Sequence, residues 1–282
     1  MNFLKQLLLG YKNYFKGTRF LFKHHLWWFF SFPIFLFIGV YLAGTYFKKL
    51  EFDIAHSLQQ TASEIETINE LIWSILKMMF FDGLYIIFTQ FTLYIVVVLL
   101  SPVLAMLSEK IEEIISGKKY NYNIKMLYHD IRRGAIIALR NLVWYYIFVG
   151  VFIGLATLFG VSTKSSFLMF SIPFIVGFYY YGFSFMDYVN ERRRLNIQQS
   201  IYYVSQHKGL AISIGSVYSI FFLFYFYIFN NYNTLATDFQ SRVFWTGAII
   251  TLLILAALTP ILAITAATLS MNELDNVEKK QK

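Results

Sequence analysis

Two arginines in the stretch DIRRGAIIALRNL (130–142) have the type and the spacing to bind an anion. Arg133 and Arg140 are seven residues apart, which is two turns of an α-helix, so both guanidinium groups can project from one face about 10 Å apart. A guanidinium group matches an oxyanion through two parallel hydrogen bonds. The spacing therefore predicts an oxyanion site, with the alternative that Arg140 extends along the helix to a polar surface.

The other reactive side chains do not form the motif of an enzyme or of a metal site. The sequence contains no H-E-x-x-H, G-x-S-x-G, P-loop or G-x-G-x-x-G pattern. It has no cysteine, and its five histidines (His24, His25, His56, His129 and His207) show no i, i+4 pairing. We therefore expect no catalytic residue, no metal and no cofactor.

The composition is that of a membrane protein. Of 282 residues, 57% are hydrophobic and only 14% are charged, against about 25% charged in soluble domains. Six runs without Asp, Glu, Lys or Arg exceed 20 residues, the length that spans a bilayer as a helix. The runs are 24–47, 83–108, 141–163, 165–186, 209–237 and 243–272. The sequence thus predicts an all-α integral membrane protein with one membrane domain over 26–271.

The basic residues predict an orientation. Summed over alternate loops and the termini, one side of the membrane receives 18 Lys and Arg and the other receives 4. Positive charge concentrates on the cytoplasmic side, so both termini should lie in the cytoplasm. Arg192, Arg193 and Arg194 belong to the basic side and are interpreted as topology anchors. A nucleic-acid site is not expected, because no aromatic interleaving or recognition fold accompanies them.

The first 25 residues form a separate element. Lys5, Lys12, Lys16, Arg19 and Lys23 fall within about 60° of one helix face, opposite an apolar stripe of Phe3, Leu7, Tyr14 and Leu21. Opposed stripes of this kind are typical of an amphipathic helix lying in the membrane interface. A solvated basic arm is the alternative.

Two further expectations concern helix shape and the end of the chain. All four prolines, Pro33, Pro102, Pro173 and Pro260, lie inside apolar runs and are predicted to kink helices. The polar segment 272–282 is predicted to be a disordered cytoplasmic tail.

Four stretches in order resemble the bacterial sulfate permease CysZ family and its eukaryotic relatives, the etoposide-induced proteins. They are LWWFFSFPIFLF (26–37), LLSPVLAMLSEKIEEIISG (99–117) followed by YHDIRRGAIIALRNL, FMDYVNERRRLNIQQSIYYVSQHKGLAISIGSV (185–217) and LTPILAITAATL (258–269). The second is similar to a Pro-Phe-x-x-x-Leu-Ala-Glu-x-Val-Glu signature. The third is similar to an Asp-Tyr-x-x-x-Arg-Arg segment.

The resemblance implies two full spans and two helical hairpins in the bacterial inner membrane, assembled as a homo-oligomer that passes sulfate inward. The charge pattern leaves open whether the hairpins span the bilayer or penetrate it in part. One departure concerns the cargo: where the family has a sulfate-contacting Gly-Leu-Arg, this chain has His25-Leu26-Trp27. His25 therefore joins Arg133 and Arg140 as a candidate anion ligand.

Two classes of function follow from these patterns. The first is a channel or permease for a small solute such as an inorganic oxyanion, with the lipid bilayer and further copies of the chain as partners. The second is a membrane scaffold or assembly factor that transports nothing.

Overall fold

The computed structural model of the protein describes residues 1–61, 68–90, 98–117, 124–159 and 167–281, and these residues are almost entirely helical, with no β-strand among them. The helices are α1 Phe3–Lys23, α2 Ser31–Thr61, α3 Ile68–Gln90, α4 Ser101–Ser116, α5 Ile124–Leu158, α6 Phe167–Arg192, α7 Ile197–Gln206, α8 Lys208–Asn230, α9 Tyr232–Leu235 and α10 Phe239–Gln281; a 3₁₀ turn, Trp27–Phe30, precedes α2. The all-helical prediction is confirmed for this part of the chain.

Four of the described helical segments are long and apolar enough to cross a membrane: Trp27–Leu50, Arg132–Leu158, Lys208–Asn230 and Phe239–Val277. The predicted runs 83–108 and 165–186 are not among them. The first is divided, because α4 begins at Ser101, while residues 91–97 lie outside the described part. The second belongs to α6, whose residues 181–190 are all buried against other helices. Lys164, which separates the predicted runs 141–163 and 165–186, also lies outside the described residues.

The chain divides into two compact units. One contains residues 34–99, which hold most of α2 and all of α3. The other contains residues 1–33 and 100–282 and holds the remaining helices. The second unit includes His25, Arg133, Arg140 and the three arginines 192–194.

The centre of the second unit is the contact between α6 and α8, where the two backbones touch. A Cβ atom added at Gly182 would lie 1.7 Å from the carbonyl oxygen of Ala211, and one added at Gly215 would lie 1.8 Å from that of Phe178. Only glycine permits this approach. Beside it, Tyr218 is fully buried and packs edge-to-face against Phe185. The contact fixes α6, which carries the buried polar residues Ser184 and Asp187.

The first 25 residues contain helix α1, which packs on the protein more extensively than the predicted apolar stripe suggested. One face, Gln6, Gly10, Asn13, Tyr14, Gly17 and Leu21, is buried. Asn13 donates to Ser270 of α10, and Tyr14 donates to the carbonyl oxygen of Ile214 in α8 at 2.5 Å. Burial raises the pKa of Tyr14 well above its usual value, so this hydroxyl remains a donor. Tyr14 and Leu21 thus stabilise the docking of α1 rather than facing lipid.

The expectation of a kink at every proline is corrected for two of them. Pro102 occupies the beginning of α4, and Pro33 lies in the first turn of α2. A proline in a first turn lacks only an N–H group that has no helical partner there, so it begins the helix without bending it. Pro173 and Pro260 do lie inside helices, in α6 and α10.

The predicted disorder of 272–282 is also corrected, because α10 continues to Gln281. Leu274 is 1% exposed, and Glu273 and Asp275 form ion pairs with Lys16 and Arg193 at 2.6 Å. These contacts hold in place a segment whose composition alone suggested a free tail.

Candidate functional site

Arg133 of α5 forms a buried ion pair with Asp187 of α6. The Nη2 and Nε groups of Arg133 donate to the two carboxylate oxygens of Asp187 at 2.8 and 3.1 Å, and its Nη1 donates to the carbonyl oxygen of Leu195 at 2.7 Å. The side chains are only 9% and 3% exposed. Asp187 also accepts from Ser200 of α7 at 2.5 Å. The bidentate face of Arg133 is therefore occupied by a carboxylate of the protein.

Two arginines of the triple cluster continue this network. Arg192 pairs with Glu112 of α4 at 3.1 Å and donates to the carbonyl oxygen of Ser108. Arg193 pairs with Asp275 of α10 at 2.6 Å, and its guanidinium carbon lies 5.7 Å from the centre of the Tyr203 ring. We call the three ion pairs the ion-pair network; its members are Arg133, Asp187, Arg192, Glu112, Arg193 and Asp275.

The ion-pair network joins α4, α5, α6 and α10 at one end of the unit. It corrects two interpretations made from the sequence. Arg192 and Arg193 are paired within the protein and are not simple headgroup anchors; Arg194 is exposed, at a left-handed turn with φ 58°. The guanidinium group of Arg133 cannot bind a solute through two parallel hydrogen bonds unless its ion pair with Asp187 first breaks.

Arg140 is in a different electrostatic position. It is half-buried, its Nη1 donates to Asn141 Oδ1 at 3.2 Å, and its guanidinium carbon lies 5.0 Å from the centre of the Phe183 ring. Within the described part of the chain no carboxylate lies within ion-pair distance of it. Among the residues that the structure describes, one of its five N–H groups is thus used, and the charge faces a neutral amide and an aromatic ring.

Asn141 and Ser184 hold the surroundings of Arg140 in place. Asn141 is fully buried, and its amide nitrogen donates to the hydroxyl of Ser184 and to the carbonyl oxygen of Tyr180. This leaves the Asn141 carbonyl oxygen directed at Arg140. The sequence reasoning missed Asn141, Ser184 and Asp187, although each is a polar residue within or beside an apolar run, which is the available signal.

An open cavity of about 500 Å³ begins one helical turn before Arg140. It is lined by Arg132, Arg133, Ile136, Asn196, Ile197 and Gln198. Arg132, Ile136 and Arg140 follow one another at intervals of four residues and so share a helix face. Arg132 is exposed at this cavity.

His25 is not brought together with the other two candidates. It is exposed, with φ 57°, in the turn after α1, and among the described residues no contact joins it to Arg133 or Arg140. Trp27, which occupies the position of the arginine in the resembled motif, is 55% exposed in the 3₁₀ turn.

Four described helices of spanning length and apolar composition are typical of a multi-pass helical membrane protein. Comparison with protein-family models identifies the family. Residues 13–229 match the family described as "Sulfate transporter CysZ/Etoposide-induced protein 2.4", and the chain belongs to it. No curated protein and no solved structure matches the chain. The resemblance seen in the sequence is confirmed, and the family is one of membrane transporters rather than of enzymes.

Most residues of the ion-pair network lie in the sequence stretches that carry the family resemblance. Glu112 belongs to the second quoted stretch, Arg133 to its continuation, and Asp187, Arg192 and Arg193 to the third. Thr268 of the fourth stretch shares a 2.8 Å hydrogen bond with Ser108 of the second. The motifs that carry the resemblance are thus largely those that hold the helices together.

Proposed function

We propose that this protein is a channel or permease that passes a small inorganic oxyanion across the membrane, and that Arg140 is the residue that contacts the anion. The observation that carries the proposal is the half-buried charge of Arg140 without a described carboxylate partner. The match to a transporter family supports transport over the alternative of a scaffold.

A charge without a carboxylate partner is costly in an apolar helix. Placing an arginine at the centre of a spanning helix costs about 2.5–3.5 kcal/mol on insertion scales, and Arg140, the ninth residue of the candidate span Arg132–Leu158, bears part of that cost. The contact with Phe183 and the single hydrogen bond to Asn141 offset part of that cost. An oxyanion that accepted from the remaining N–H groups would offset the rest. It would also exchange its hydration water for a preformed fork of donors.

Arg133 has a supporting role in this proposal. Its fork binds Asp187, so it positions α5 against α6 and leaves Arg140, two turns farther along α5, as the available guanidinium group. The cavity beside Arg132 provides the approach, because its wall includes Ile136, one turn from Arg140. An anion would meet the exposed Arg132 first and Arg140 second.

The proposal places the protein in a bacterial cytoplasmic membrane with both termini inside the cell, as a homo-oligomer. Contacts within the second unit indicate that the basic segments lie close together. Gln6 donates to the carbonyl oxygen of Gln206, and Arg193 pairs with Asp275 near the end of α10. The start of α1, the triple-arginine segment and the last turns of α10 are therefore close together. Their shared excess of Lys and Arg favours the cytoplasmic side.

Anion flux into proteoliposomes of the purified protein tests the proposal, with sulfate and phosphate as cargoes. Arg140→Ala should lower flux by about 10- to 100-fold, because a charge-assisted hydrogen bond contributes about 1.5–3 kcal/mol. Arg140→Lys should retain part of the flux, because the charge survives and the fork does not. Arg194→Gln removes one exposed positive charge elsewhere and is the matched control, with flux unchanged.

The identity of the cargo is tested with the same assay. If Trp27 marks the loss of the resembled sulfate site, Trp27→Arg should raise sulfate flux. Strong sulfate flux that survives Arg140→Ala would show that Arg140 is not the contact. Absence of flux for every anion, in a protein that is folded and inserted, would refute transport and favour the scaffold alternative.

A further inference from the structure

The surface of α1 is divided into three faces, of which two point away from the protein. The buried face packs on α8 and α10, as described above. Leu4, Leu8, Phe15 and Phe22 are 59–82% exposed and lie within about 40° of one another around the helix axis. The five basic residues form a second exposed face, centred about 80° from this apolar one. The apolar face that points outward is therefore not the one that the sequence suggested.

Among the described residues, one of the five side chains of the basic face pairs with a carboxylate. The first acidic residue of the chain is Glu51, so α1 carries cations alone. Lys16 pairs with Glu273 at 2.6 Å. Lys5, Lys12, Arg19 and Lys23 have no carboxylate partner among the described residues. Within the described part of the chain, four exposed cations along one helix face are thus open to anions from the surroundings.

The turn after α1 indicates the depth of the helix. The candidate span that follows it begins at Trp27, and both Trp27 and Trp28 are exposed, at 55% and 45%. Tryptophan concentrates at the level of the lipid headgroups. Since only three residues separate Lys23 from Trp27, the end of α1 lies near the same level.

We infer that α1 is a docking surface for anionic phospholipids, in which Lys5, Lys12, Arg19 and Lys23 bind headgroup phosphates while Leu4, Leu8, Phe15 and Phe22 enter the acyl layer. The charge pattern favours this occupant: a second copy would bring an equally basic face against the first, and a solvated helix would leave four large apolar side chains in water. The inference concerns α1 alone and does not depend on anion transport.

The full-length protein in nanodiscs provides the test. Because the chain lacks cysteine, Phe15→Cys introduces a single site for a fluorophore. Nitroxide-labelled phosphatidylglycerol should quench this fluorophore more strongly than nitroxide-labelled phosphatidylcholine at the same mole fraction. Each cation near an anionic surface changes local lipid partition by roughly fivefold, so Lys12→Gln with Arg19→Gln should remove most of the preference. Raising the salt concentration should weaken it as well.

A matched double variant separates α1 from the rest of the basic side. Arg194→Gln with Lys208→Gln removes two exposed cations outside α1 and should leave the preference unchanged. Equal quenching by the two lipids, or a preference that survives in the Lys12 and Arg19 variant, would overturn the inference. Quenching by aqueous iodide alone would show a solvated arm. Protection from both lipid and iodide would show a second copy on this surface.

Discussion

Replacing Arg133 should destabilise the protein without touching the proposed anion contact. Arg133→Met keeps an unbranched apolar stem and removes the guanidinium group with its charge, which leaves Asp187 buried, 3% exposed, with Ser200 as its remaining hydrogen-bond donor among those described. Removing one partner of a buried pair costs about 3–5 kcal/mol, because the other charge stays in the interior. At about 2–4 °C per kcal/mol, the melting temperature should fall by about 6–20 °C.

The matched control is the neighbouring arginine. Arg132 is exposed, so Arg132→Met should change the stability by about 0.5 kcal/mol or less. Asp187→Asn should be milder than Arg133→Met, since Glu191 lies 3.9 Å from Arg133 and partly balances its charge. Thermal unfolding of the purified proteins in one detergent, followed by intrinsic fluorescence, gives all three values. If Arg133→Met and Arg132→Met melt within about 2 °C of each other, the ion pair does not stabilise the bundle, and Arg133 returns as a candidate anion ligand.

Two further predictions concern topology and packing. With single cysteines at His56, Arg194 or Asn276, a membrane-impermeant thiol reagent added outside whole cells should label residue 56 alone; labelling at 194 would reverse the proposed orientation. Gly182→Ala should lower the melting temperature by several degrees, because the new Cβ meets the backbone of α8, whereas Gly150→Ala, with no atom within 4 Å, should not. Equal melting temperatures for the two alanine variants would show that α6 and α8 are farther apart than described.

The helical membrane class and the family could be predicted from the sequence because both depend on patterns within single segments. Apolar runs and short motifs can be recognised in a sequence without knowledge of its tertiary contacts. The role of Arg133 could not be predicted in this way. Its spacing from Arg140 is real, but its partner Asp187 is 54 residues away in the sequence, and only the packing of α5 on α6 brings the two together.

The same reason explains the corrected tail and the reassigned face of α1. The segment 272–282 is polar, so its composition resembles that of a disordered end. Its order comes from Lys16 and Arg193, more than 80 residues away. On α1, the small and polar residues Gly10, Asn13 and Gly17 belong to the buried face, whereas the large apolar residues Leu4, Leu8, Phe15 and Phe22 point outward. A helix in contact with both protein and lipid reverses the rule that apolar side chains mark the core.

The length of α10 has a consequence for the kind of bilayer that suits this protein. Its uncharged stretch, residues 243–272, is 30 residues and therefore about 45 Å long, against a hydrocarbon thickness of about 30 Å. An average helix tilt of about 20° shortens that length by only a few Å, so α10 must lean further, bend at Pro260 or carry apolar turns beyond the hydrocarbon. A thicker membrane allows the helix to stand more upright. Because Asp275 ties the far end of α10 to Arg193, any change in that inclination pulls on the last turn of α6.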